Sequence, residues 1–115
     1  MTKTEMKELV HKSIGGRNLL RMYFRYDANY WHCFPLDANE KLILGIKQDD
    51  FILDGYSIRR YVDLKKVQIE EGKRIDILRN EGVIDSIKTP NIDISNWEAV
   101  YSSLQKLNRN IIVEI

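Results

Sequence analysis

Arg21, Tyr23 and Arg25 alternate along one short stretch of the chain, and Arg59, Tyr61, Lys65 and Lys66 bring further cations and a second ring later on. Residues two apart on a strand share a face, so each stretch would set positive charges beside an aromatic ring. That pairing suits stacking of bases and neutralisation of phosphates in single-stranded RNA. The same alternation is also what the wet face of an antiparallel sheet requires. If the two strands are neighbours, Arg21, Tyr23, Arg25, Arg59, Tyr61 and Lys65 form the candidate RNA-binding face. Lys plus Arg (18) almost cancels Asp plus Glu (17), so no long-range field draws the whole molecule to nucleic acid or anionic lipid, and such a patch would act locally.

Other reactive side chains are sparse. His11 and His32 fall in a helical and a strand pattern, with no second His or Cys at metal-ligand spacing. His32 and Cys33 are neighbours on a strand and point to opposite faces, so adjacency does not make them a nucleophile–base pair. Cys33 is the only cysteine, which excludes an internal disulfide and any multi-cysteine metal site. With Tyr30, Trp31 and Phe34 around it, it reads as a half-buried, inert thiol. Asp49, Asp50 and Asp54 lack the spacing of a calcium loop and read as turn formers. Glycine-rich phosphate loops and the HExxH zinc motif are absent from the sequence. The expectation is therefore no catalytic residue, no metal and no cofactor.

The elements that must position these residues follow from periodicity. A chain of 115 residues that is 43% hydrophobic and 30% charged is expected to be one soluble globular domain. The polar opening MTKTEMKELVHKS reads as a helix, not a leader, and the apolar runs are too short to span a membrane. A cytoplasmic location is expected, and high Ile, Lys and Asn use suggests a bacterial source. Thr2 and Glu5 have capping-box spacing, Met6, Leu9, Val10 and Ile14 recur at helical intervals, and Gly15-Gly16 would stop the helix. The spacing predicts a helix over 3–14, serving as a lid on one end of the strands.

From Leu20 the period becomes two. Asp27-Ala28-Asn29 and Asp37-Ala38-Asn39 suit three-residue hairpin loops between strands at 19–26, 30–36 and 41–48. Pro35 demands a bulge or an edge. Gln48-Asp49-Asp50 reads as a turn and Asp54-Gly55 as a two-residue hairpin. Apolar parity slips between Leu64 and Val67, which a 3₁₀ turn at 63–66 would explain. Shared parity predicts that Leu20, Met22, Phe24, Leu42, Leu44, Ile46, Ile58 and Val67 are buried together.

The remainder, 72–115, reads as a helical annex of the same compact unit as 1–71. A helix over 73–81 would bury Ile75 and Leu78 and end at Gly82. After Thr89-Pro90, Ser95 and Glu98 form a second capping box, with Ile94 as a staple, and Trp97, Val100, Tyr101, Leu104 and Leu107 share a helical face. Trp97 is expected to anchor that helix, and IIVEI (111–115) to form a last strand. Trp31 makes the second strand aromatic on both faces, so something must cover each. Trp31, Ile111, Val113 and Ile115 are therefore the expected interface of a homodimer, a larger ring or a longer protein.

Leu42 to Ile69, preceded by a helix, resembles the Sm-like and SH3-like small β-barrel proteins of bacteria. The resemblance covers about half the chain and implies an α+β fold: a small, strongly bent antiparallel β-barrel with an N-terminal helix and C-terminal helices. It also implies RNA binding as one function. Gly45 and Asp49 fall near the family's first uridine-binding pattern, though no Asn follows. Ile58-Arg59 resembles the start of the second, with Arg60 where that pattern has glycine. A non-catalytic binding or assembly module, acting through self-association or another protein, is the primary expectation. An Sm-like RNA-binding protein is the alternative, and an enzyme site completed by a partner is a third.

Overall fold

The computed structural model describes residues 1–49, 52–87, 90–107 and 111–113. Helix α1 (Lys3–Gly16) leads into strands β1 (Leu20–Phe24), β2 (Trp31–Ala38), β3 (Leu42–Asp49) and β4 (Ile52–Arg60). A 3₁₀ turn (Tyr61–Asp63) precedes β5 (Leu64–Ile69), followed by α2 (Lys73–Asn80), α3 (Trp97–Leu107) and β6 (Ile111–Val113). The fold is α+β. Its single sheet has the order β5-β1-β2-β3-β4-β6 and is not closed into a barrel. Five strands are antiparallel neighbours, whereas β6 joins the edge of β4 in parallel.

Local chemistry explains where the elements start and stop. Thr2 Oγ1 accepts from the Glu5 amide and the Glu5 carboxylate accepts from the Thr2 amide, a reciprocal capping box. The helix runs through Gly15 and Gly16, and Arg17 takes the left-handed position (φ 51°) instead of a glycine. Its guanidinium donates to the Ile84 carbonyl at 3.0 Å, a contact that holds an uncommon backbone conformation. At α3 the cap is Asn96, whose side-chain oxygen accepts from the Ala99 amide; Ser95 bonds Asp93 instead.

Bulges set the strand faces where simple alternation does not. The Asn39 side chain accepts from the Lys41 and Leu42 amides and so closes the β2–β3 turn, while Asp37 and Ala38 belong to β2. The β1–β2 connection is longer than three residues, since pairing stops at Met22 and Trp31. Pro35 sits in a central strand beside a bulge, not at an edge. Asp54-Gly55 is not a hairpin: it lies inside β4 at a register shift, with Gly55 at φ 69°. A glycine bulge needs the same positive φ as a tight turn, so the dipeptide reads alike in both. Gln48 and Asp49 belong to β3, whose last described pair with β4 is Asp49–Ile52; Asp50 lies outside the described residues. The 3₁₀ turn is present two residues early, and the parity slip from Leu64 to Val67 comes from a separate bulge opposite Tyr23 and Phe24.

Apolar residues fill both faces of the sheet. On one, α1 lays Met6 and Val10 over Leu20, Met22, Phe24, Cys33, Ile43, Tyr61, Leu64 and Val67. On the other, Leu19, Phe34 and Ile46 pack with Leu78 of α2, and Leu42, Leu44 and Ile58 pack with Val100 of α3. The eight residues expected to form one core are all buried, but they are divided between the two sides of the sheet. Neighbours such as Ile43 and Leu44 point to opposite faces and are both buried. No described helix is long and apolar enough to cross a membrane.

Candidate functional site

Among the described residues, the helices on the second face pack over β2, β3 and β4 and leave its β5–β1–β2 end uncovered, with Arg21 and Tyr23 half-buried and Lys66 and Gln68 exposed. Arg21 and Tyr23 of β1, His32 of β2, and Lys66 and Gln68 of β5 share that end through the pairs Arg21–His32, Arg21–Gln68 and Tyr23–Lys66. Tyr30 adds a third ring from the β1–β2 connection. Tyr23 and Tyr30 lie 5.4 Å apart between ring centres, and Tyr30 meets His32 edge-on at 5.1 Å, within the range of favourable aromatic pairs. Cations lie over the rings: Arg21 Cζ is 5.0 Å from the Tyr30 centre and Lys66 Nζ is 5.4 Å from that of Tyr23. The result is a short row of rings edged by positive charge.

Glu70 anchors the row. Only 7% exposed, it accepts from both Arg21 Nε and Arg21 Nη2 and lies 3.2 Å from His32 Nε2. Its own amide donates to the Leu19 carbonyl at 2.8 Å, which fixes the carboxylate beside β1. The Arg21 guanidinium, and after it His32, hold the Glu70 carboxyl below its usual 4.5. A depressed carboxyl pKa contributes stability that is complete above the unfolded value and is lost as pH falls through the folded one. Glu70→Gln should therefore be less stable than the parent at pH 7, and the gap should close as pH falls below 4.5. Urea melts at a series of pH values check this; a gap independent of pH would remove Glu70 from the account.

The residues expected to bind RNA are only partly brought together. Arg21 and Tyr23 are on the open face. Arg25 and Lys65 are exposed but line a different hollow of about 450 Å³ with Lys3, beyond the end of β1. Arg59 and Tyr61 are buried, 9% and 2% exposed, on the α1 side of the sheet. There Arg59 Cζ stands 4.2 Å from the Phe24 ring centre and 4.1 Å from that of Trp31, with Asp27 3.5 Å away. The bulges change which way these side chains point, which parity counting could not register. Tyr30, His32, Gln68 and Glu70 were missed; for the last two, the polar alternation Lys66, Gln68, Glu70 against Val67 and Ile69 was the available signal.

Of the expected interface residues, Trp31 is half-buried against the α1-side core, with Lys47 Nζ 4.2 Å from its ring centre. Its own chain covers much of the ring. The backbone of Ile111 to Val113 pairs with β4, and Ile115 lies outside the described residues. Cys33 is buried and its thiol is pushed up to about 12 by desolvation, an environment that suppresses the nucleophilic thiolate. Among the described residues no cluster of three or more His, Cys, Asp or Glu could hold a metal ion. Comparison with known proteins adds no relative: no family model, curated protein or solved structure matches the chain.

Proposed function

We propose that the protein is a non-catalytic cytoplasmic binding module whose open β5–β1–β2 face takes single-stranded RNA. The observation that carries this is the row Tyr23, Tyr30 and His32 with Arg21 and Lys66 over its rings. Tyr23 and Tyr30, the more exposed rings of the row, offer faces on which bases of any sequence can stack, and Lys66 beside them supplies a charge for the phosphates. Glu70 holds Arg21 and the mostly buried His32 in place beneath. The reading also includes a relationship to small barrels, supported by the 3₁₀ turn between β4 and β5. Assembly with a second copy is the second reading, favoured by β5 and β6 having no second strand neighbour among the described residues; sedimentation at several concentrations tests it.

Fluorescence anisotropy with a short labelled RNA at low salt tests the first reading. Tyr23→Ala and Tyr30→Ala should each weaken binding by about 1–3 kcal/mol, the value of one stacked base. Lys66→Ala should flatten the salt dependence by roughly 0.7 of a slope unit, the single-strand value for one phosphate contact, whereas Arg25→Ala, off this face, should not. An unmutated protein that fails to bind at low salt would overturn the proposal.

A further inference from the structure

A cleft of about 480 Å³ lies between α1, the β2–β3 turn, the 3₁₀ turn and the start of α3, away from the tyrosine row and within the size range of small-molecule sites. Its apolar lining comes from Tyr61, Trp97 and Val62, the last left 59% exposed. Among the described residues its charged lining is Lys3, Lys7, Lys41 and Arg60 against one acid, Glu40.

These cations are not equivalent. Lys3 Nζ donates to the Tyr61 and Leu64 carbonyls, Lys7 pairs with Glu40 at 3.0 Å, and Arg60 grips Asp63 with two nitrogens. Lys41 is exposed and has no side-chain partner among the described residues. Asn39 Nδ2 donates to the Ile94 carbonyl at 2.6 Å, tying the turn that carries Lys41 to the segment entering α3. Asn96 caps the Ala99 amide there, which leaves the Trp97 and Glu98 amides without an intrahelical acceptor. A free ammonium and a helix N-terminus thus adjoin one apolar cleft. In addition, Tyr61 lines the cleft and is itself only 2% exposed, and its hydroxyl is buried with no partner among the described residues, a cost that an acceptor placed beside it would relieve.

We propose that this cleft binds a small amphipathic anion: a flat apolar body against Tyr61, Val62 and Trp97, and one carboxylate or phosphate head at Lys41 and the first turn of α3. The excess of cations selects against a cationic ligand, and the apolar lining selects against a bare inorganic ion. Phenylacetate and phenyl phosphate combine both features, while benzyl alcohol and inorganic phosphate each carry one.

Amide and indole NMR shifts of the full chain, titrated with these four probes, test the proposal. One or both aromatic anions should move the signals of Lys41, Asn96 and Trp97 together, and the stronger of the two identifies the head group. Benzyl alcohol and inorganic phosphate should bind at least about tenfold more weakly, since each lacks one of the two contacts. Lys41→Glu should weaken binding by about fivefold or more, the scale of one charge-assisted hydrogen bond, and Val62→Asp should do likewise. Both positions are exposed, so unchanged dispersion elsewhere in the spectrum will show that the variants fold. Signals that stay still with both aromatic anions, an affinity untouched by Lys41→Glu, or benzyl alcohol binding as tightly as phenylacetate would each overturn the proposal.

Discussion

Leu44→Ala should lower the free energy of unfolding by about 2–5 kcal/mol, the range for deleting a buried leucine side chain that its surroundings cannot replace. Leu44 is 0% exposed in a central strand, paired with Ile58 on β4 and with Asp37 on β2. Its side chain belongs to the cluster that seats α3, with Ile92, Ile94 and Val100 around it. The cavity would open between sheet and helix, two layers held apart by the rest of their contact, so collapse would be incomplete. Urea denaturation should show a lower midpoint with an unchanged slope. A loss below about 0.5 kcal/mol, usual for surface positions, would mean that α3 does not pack on this face.

Gly45→Ala should cost about 1–3 kcal/mol, as overpacking of a filled interior does. A methyl group at Gly45 would stand 2.3 Å from Cys33 Sγ and 3.2 Å from the Phe34 carbonyl oxygen. Cys33 is 5% exposed and part of the α1-side core, so its sulfur has little room to turn away. The severe overlap is with one side chain and the contact with the Phe34 carbonyl is only tight, which makes the cause separable. In Cys33→Ala the sulfur is gone, and adding Gly45→Ala to that background should cost at least about 0.5 kcal/mol less than in the parent, a coupling expected for residues in contact. Equal costs in both backgrounds would place the strain in the backbone and refute this assignment.

What could be read from sequence follows what is local. The Thr2–Glu5 box, the helical spacing of Met6 and Val10, and the 3₁₀ turn after β4 are chemistry among near neighbours, and they appear in the structure with shifts of a residue or two. Leu42, Ile43 and Leu44 are all buried, so on that strand alternation carries no information about which face is covered by which helix. That is why one expected core became clusters on two sides. The candidate site was half visible for the same reason. Arg21 and Tyr23 precede any bulge on their strand, whereas Arg59 and Tyr61 follow the one at Asp54-Gly55, and their direction depends on a register that only pairing with β3 defines. Alternation could place Glu70 on the polar face of β5 but not reveal its role, which rests on Arg21 and His32, distant in the chain.

The parallel docking of β6 on β4 has a consequence for the order of synthesis. β4 is complete at Arg60, but the strand that pairs with its outer side begins at Ile111, about 50 residues later. At a translation rate of roughly 5–20 residues per second, the interval is about 3–10 s. For those seconds the nascent chain can assemble β1 to β4 as successive hairpins while the far side of β4 keeps its amides and carbonyls unpaired. An unpaired strand edge is a template for pairing with another chain, so that window is when the outer side of β4 is open to chaperones and to neighbouring nascent chains.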